Sequence, residues 1–212
     1  MSNVHSIFWD VGGVLLTNGW DREARGRAIA RFGLDADEFE ERHELVVADF
    51  ETGRLSLEDY LKSTVFCQPR TFDESDFTSF MLAQSQPKPE SLALLRALRT
   101  DGRYRMAMLN NESAELNQHR IRHFALYDCF DVFLSSCYLG VRKPADAIYR
   151  LALQLTQRDP ERCVFIDDRP INLECAARLG IHTVHFRDVG ALRADLSRLG
   201  ISGGTRAADY DL

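Results

Sequence analysis

Three acidic residues and one lysine carry the chemistry that this 212-residue chain has the means to do. Asp10 closes the apolar run "SIFWD" and is followed at once by "VGGVLL"; Asp167 and Asp168 close "CVFIDD"; Lys143 stands in "LGVRKPADAIY". Each reads as a residue at or just beyond the end of a buried strand. In an open parallel sheet the ends of neighbouring strands meet at one rim, and ligands bind there. Carboxylates gathered at such a rim repel one another. A small hard cation among them makes the cluster favourable, and Mg²⁺ commonly takes one or two carboxylates, waters and a phosphate oxygen of the substrate. A plainer reading competes, because Asp before an apolar periodic run is a common helix N-cap and Asp next to Gly a common turn. Lys143 weighs against it. The chain has 23 arginines and only three lysines, Lys62, Lys88 and Lys143, so its basic faces are built with Arg. A compact ammonium beside several carboxylates holds a nucleophile in place and binds phosphate as a point charge.

The elements that must position these groups follow from periodicity. The runs "SIFWD", "YRMAML", "CFDVFLSS" and "CVFIDD" read as strands buried on both faces, with "HTVHF" a fifth. Helical spacing appears between them, in "PESLALLRALRTDG" and over residues 113–124, 145–155 and 171–179. Strands alternating with helices imply right-handed crossovers, and hence an α/β fold with a doubly wound, mainly parallel sheet. Residues 17–87 break the rhythm. "WDREARGRAIARFG", "DADEFEERHELVVADFETG", "LSLEDYLKSTVF" and "DESDFTSFMLAQ" all read as amphipathic helices with no strand between them. The expected organisation is therefore a core of residues 1–16 and 88–202, a helical insert over 17–87, and a flexible tail over 203–212. Pro87 and Pro89 in "SQPKPES" suit a return linker, since proline is excluded from helix interiors and restricts the residue before it.

Composition narrows the function classes. A net charge of −6 and a pI near 5.5 argue against binding nucleic acid or an anionic membrane surface, both of which need clustered basic residues. No window approaches the roughly eighteen uninterrupted apolar residues of a membrane-spanning helix. The start "MSNVHSIFWD" has neither a basic opening nor a cleavable apolar stretch, so a cytoplasmic chain is expected. Five cysteines with no C-x-x-C pair are expected to be reduced and mostly buried.

The order "DVGGVL", helical insert, "LNNES", "RKP" and "FIDDRPIN" resembles the haloacid dehalogenase-like (HAD) hydrolases with a small helical cap, over essentially residues 4–200. "FETGRLSLEDYL" in the insert is similar to cap segments of a phosphatase branch that includes sugar-phosphate phosphatases and the N-terminal domains of soluble epoxide hydrolases. The resemblance implies a Rossmann-like core and a reaction in which Asp10 attacks phosphorus and forms an aspartyl-phosphate that water then hydrolyses. It implies Mg²⁺ held by Asp10, by the backbone carbonyl of Gly12 and by Asp168, with Asp167 and Asn172 supporting the metal and its waters. Lys143 would offset the repulsion between the carboxylate and an anionic phosphoryl group. The implied partner is a small phosphorylated metabolite, for instance a sugar phosphate.

Two positions depart from the family pattern. Most family phosphatases carry a second Asp two residues after the nucleophile, which protonates the leaving group and then activates water; here that residue is Gly12. Losing a positioned acid typically costs about 10²- to 10⁴-fold in rate, so either turnover is slow or the leaving group departs easily, as from an anomeric phosphate. The strand of "AMLNNES" ends in Asn110 where the family usually has Ser or Thr. Its amide is also a donor to a phosphoryl group, and Asn111 adds a further contact. Two alternatives stand beside the phosphatase. One is a metal-free 2-haloacid dehalogenase on the same scaffold, although that branch usually has an aromatic residue at position 12. The other is a catalytically silent protein that keeps the fold and binds. For Trp20, His43, Glu51 and Arg54 in the insert, core packing or a solvated face outweighs a role in the cleft.

Overall fold

The computed structural model describes residues 3–202; the expected tail over 203–212 lies outside the described residues. The elements run β1 (Ser6–Trp9), α1 (Arg22–Phe32), α2 (Ala36–Glu51), α3 (Leu57–Thr64), α4 (Glu74–Ala83), α5 (Pro89–Asp101), β2 (Arg105–Asn110), α6 (Ala114–His123), β3 (Val132–Ser135), α7 (Ser136–Leu139), α8 (Asp146–Thr156), β4 (Cys163–Asp167), α9 (Pro170–Arg178), β5 (His182–His185) and α10 (Val189–Arg198). The five strands form one sheet in the order β3-β2-β1-β4-β5, every pair parallel. This is the doubly wound α/β architecture that the alternation of strands and helices implies.

Both faces of the sheet are covered, which is why its strands carry apolar residues at successive positions. Ile7, Trp9, Met106, Met108, Val164 and Ile166 pack on one side with Leu92 and Leu95 of α5 and Leu192 and Leu196 of α10. Phe8, Ala107, Leu109 and Phe165 pack on the other with Ile148 and Ala152 of α8 and Ala176 of α9. A side chain of this size contributes roughly 1.5–3 kcal/mol when fully buried, so the central strands fix the frame from which the rim projects. β1 lies between β2 and β4, with Trp9 level with Met108 and Ile166. The chain winds outward from β1 first to one side and later to the other, so the end of β1 is the point where strand order reverses and a crevice opens.

Three elements differ from the sequence reading. The strand expected over 129–136 shrinks to four residues, because Asp131 turns its carboxylate onto the Met106 amide at 2.9 Å and Cys129 closes a 3-10 turn over Leu126–Asp128. Ser136 opens α7 instead of extending β3. α10 was not foreseen; its apolar positions Leu192 and Leu196 lie one helical turn apart, and the Asp188 carboxylate accepts from the Ala191 amide at 2.8 Å as its N-cap.

Within 17–87 the described structure is helical. Each of α1 to α4 starts on a side-chain cap, from Asp21, Asp35, Ser56 and Asp73 respectively. They share a core of Trp20, Phe39, Phe50, Tyr60, Phe77 and Met81, which Leu116 of α6 joins. The two linkers to the sheet run side by side: Thr17 N–H donates to the Gln86 carbonyl at 2.9 Å, and Leu16 bridges Pro87. Among the cysteines, Cys129, Cys163 and Cys175 are buried, Cys137 is half-buried and Cys67 is exposed, and all five are free.

Candidate active site

The rim assembles as the spacing implied. Because β1 and β4 are neighbours, Asp10 and Asp167 emerge side by side, and ligand oxygens of Asp10, Asp167 and Asp168 lie within 4.8 Å of one another. Lys143 arrives from the loop before α8 and closes the cluster. Its Nζ stands 2.9 Å from Asp10 Oδ1 and 2.7 Å from Asp167 Oδ2, and donates to the Leu109 carbonyl at 3.1 Å. All three ammonium hydrogens thus have acceptors in a nearly dry setting. The backbone at Lys143 is held by the Asn111 amide, which accepts from Lys143 N–H and donates to its carbonyl, both at 2.8 Å. Asn172 donates to both oxygens of Asp167 at 3.0 and 3.1 Å, and Tyr149 OH donates to the Asn172 carbonyl at 2.9 Å. Asp167 thus links Asn172 to Lys143 beneath the cluster.

Charge is strained here. Burial raises the Asp10 carboxyl to about 7; Lys143 pulls it down, while Asp167 and Asp168 push it up. Burial works against the Lys143 charge, but Asp10 and Asp167 outweigh it and hold the lysine above its ordinary value. Asp168 is raised by burial and by Asp167. Asp168 is half-buried at the edge of the cavity. Three carboxylates against one ammonium form the donor set that a divalent cation fits.

The glycines of "DVGG" have separate reasons. Gly13 takes φ +73, and a Cβ there would lie 2.1 Å from Asp168 Oδ2. Only glycine lets the β1 loop pass against that carboxylate. A Cβ at Gly12 would sit 3.2 Å from Asn18 Oδ1 and 3.8 Å from Arg120 Nη1, so the direction in which an acidic side chain would project meets a guanidinium. Lys88, the second lysine at this rim, donates to the Gly13 carbonyl.

Above the rim lies a cavity of about 540 Å³ lined by core and insert residues. Asp10, Gly12, Asn111, Lys143, Asp168 and Asn172 all line it; Asp167 lies beneath, fully buried. Asn110 does not line it. Its amide donates to Asn117 on α6 at 3.0 Å and its oxygen is buried without a donor, so the strand-end position is as expected but the side chain is turned to the helix. Asp168 is not the cap of α9: that position is Arg169, and it is Asp167 that accepts its amide at 2.8 Å.

Of the four insert residues set aside as packing or solvated, Trp20, His43 and Glu51 line the cavity. Arg54 instead pairs with Asp49 on the surface. Glu51 and Arg142 form a 2.6 Å ion pair from insert to core. Arg25, Glu112 and Arg120 were missed altogether. Arg120, 2 % exposed, bonds Glu112 at 2.9 Å, Ser85 at 2.9 Å and the Thr17 carbonyl at 3.2 Å, thereby joining α6 to both linkers. Nothing local in the sequence signals that pairing, because Ser85 and Thr17 are distant in the chain. Burial raises Glu112, Arg120 opposes this, and Glu51 adds to it.

The family model described as haloacid dehalogenase-like hydrolase matches residues 4–180. Flavin mononucleotide hydrolase 1 of Arabidopsis thaliana is 29% identical over 180 residues, covering 82% of this chain and 70% of that protein. Sesquiterpene phosphatase astK of Aspergillus oryzae is 28% identical over 114 residues, covering 54% of this chain and 58% of its own length. The crystal structure of the HAD family enzyme bt-2542 of Bacteroides thetaiotaomicron, a magnesium complex, superposes with a TM-score of 0.74 at 21% identity, covering 87% of this chain and 94% of that one. The chain is a member of the haloacid dehalogenase-like hydrolases.

Proposed function

We propose that this chain is a Mg²⁺-dependent phosphatase acting on a small phosphorylated metabolite, with Asp10 as the nucleophile. The observation that carries the reading is the convergence of Asp10, Asp167 and Asp168 on the buried Lys143 at the point where strand order reverses. The names of two relatives, a flavin mononucleotide hydrolase and a sesquiterpene phosphatase, agree with phosphate-ester chemistry. Asp10, the Gly12 carbonyl and Asp168 would hold the cation, which when bound supplies charge neutralisation for an anionic substrate.

This chain's own groups do the rest. Lys143 fixes the attacking Asp10 oxygen and offsets its repulsion from the phosphoryl group. Asp10 bonds to phosphorus as the ester oxygen leaves with the electron pair; water then attacks phosphorus and releases the carboxylate. Asn111 holds Lys143 in register, and one of its amide hydrogens remains for the phosphoryl group. Asn110 contacts the phosphoryl group only by giving up Asn117. With Gly12 in place of an acid, neither step has a positioned proton carrier, so esters with good leaving groups react fastest. Residues 17–87 act as a cap that excludes water from the cavity.

Phosphate release from p-nitrophenyl phosphate and a sugar-phosphate panel, with Mg²⁺ or EDTA, tests this. Metal-dependent turnover that disappears in Asp10→Asn supports the reading. Dehalogenation insensitive to EDTA, or silence in both reactions, favours the alternatives. Equal rates on alkyl and aryl phosphates would contradict the leaving-group argument alone.

A further inference from the structure

His43 is buried at 4 % exposure on α2, and it lines the cavity. Its Nδ1 lies 2.9 Å from the Tyr60 hydroxyl, and the Trp20 indole donates to that same hydroxyl at 2.8 Å. An indole N–H can only donate, so the phenol oxygen must accept from Trp20. The single hydroxyl hydrogen of Tyr60 then needs an acceptor in a fully buried place, and Nδ1 is the one beside it. The reverse arrangement, with Nδ1 donating, leaves a buried hydroxyl hydrogen unpaired and is disfavoured. The relay from Trp20 through Tyr60 therefore puts the imidazole proton on Nε2. Phe50, stacked on Tyr60 at 4.2 Å and 11°, holds the phenol plane.

The ring is also neutral. Burial and Arg25 lower the His43 pKa to about 4, with Arg142 adding to them and Glu40 opposing. Nε2 makes no hydrogen bond among the described residues, and the residue lines the cavity.

We propose that His43 is a specificity-determining residue whose Nε2–H, fixed by Tyr60, donates to an uncharged oxygen of the substrate's organic group, a hydroxyl or a carbonyl. The proposal rests on the phosphatase reading for what occupies the cavity. Phe50 and Val47 beside it offer apolar surface to the carbon skeleton, and the N–H selects among esters of similar shape. An ester lacking the oxygen leaves a desolvated donor unpaired, so the site rejects it more strongly than a purely apolar pocket would.

Two measurements on the full chain test this. In the ¹⁵N spectrum of the imidazole, His43 carries its proton on Nε2 and does not titrate between about pH 5.5 and 8. A proton on Nδ1, or titration near the ordinary histidine value, overturns the proposal. Second, the ratio of kcat/KM for glucose 1-phosphate over cyclohexyl phosphate falls about 10- to 100-fold in His43→Phe. It also falls in Tyr60→Phe, which keeps the ring and its stacking if the first variant does not fold. Equal losses on both esters, or an unchanged ratio in folded variants, overturn it. Absence of phosphate release from either ester and from p-nitrophenyl phosphate in the wild type counts against the phosphatase reading, while the spectrum still decides the state of His43.

Discussion

The helices of the insert and those at the rim begin in opposite ways. α1 to α4 each start on an Asp or Ser whose side chain accepts from the first turn, at 2.9 to 3.1 Å. α6 and α9, which follow β2 and β4 at the crevice, have no such cap. Buried cations divide in the same way. Arg25 is held by both oxygens of Glu40 and by the Trp20 carbonyl, inside the insert. Lys143 is held by two carboxylates, one of which, Asp10, stands at the surface of the cavity. In the insert, buried polar groups largely satisfy one another, with His43 Nε2 the exception. At the rim they are left partly unsatisfied, and a protein keeps such an arrangement where the remaining valence is used on a ligand.

Replacing the rim's cation breaks the contrast most severely. Lys143→Met leaves Asp10 and Asp167 buried without a counter-charge, and denaturant unfolding is expected to show a loss of about 3–5 kcal/mol. Turnover is expected to vanish with it. In the insert, His43 carries an acid-sensitive electrostatic effect. Its native pKa lies near 4 against an ordinary value of 6.5, so below about pH 6.5 the unfolded chain binds a proton that the native chain refuses. Stability conferred by neutral His43 is complete above that pH and declines as pH falls toward 4, by up to about 3 kcal/mol. Urea titrations between pH 7 and 4 check this, with a shallower acid limb expected in His43→Phe.

Smaller effects sharpen the comparison. Gly13→Ala forces a side chain to φ +73 against Asp168, and is expected to cost about 1–3 kcal/mol and to displace a proposed ligand, reducing turnover out of proportion to stability. Asp73→Ala removes only the α4 cap, with about 1 kcal/mol lost in thermal unfolding and turnover of the folded protein retained.

The carboxylates of the rim were legible in the sequence because Asp10, Asp167 and Asp168 stand at or just past the ends of β1 and β4, and strand ends converge once a parallel sheet is recognised. Asp10 and Asp168 needed only the strand order, which places β1 beside β4, whereas Lys143, in the loop after α7, stood out as one of three lysines among 23 arginines. The cavity wall was not legible. Trp20, His43 and Tyr60 are joined by hydrogen bonds spanning 40 and 17 residues, and the sequence favours the packing reading for Trp20 and His43. That reading is correct as far as it goes: Trp20 and His43 are both buried, and both also line the cavity. Asn110 shows the complementary limit, since a strand end fixes where a residue sits but not whether its amide turns to the crevice or to α6.

The central claim is that Asp10 is phosphorylated during turnover. With Gly12 where a base would stand, hydrolysis of the aspartyl-phosphate lacks positioned proton transfer, and the covalent species is expected to accumulate. The most direct measurement is acid quenching during turnover of p-nitrophenyl phosphate with Mg²⁺, followed by peptide mass mapping. A phosphoryl group is expected on the peptide containing Asp10, absent with EDTA and in Asp10→Asn. Turnover that persists in Asp10→Asn, or a phosphoryl group on another residue, would contradict it.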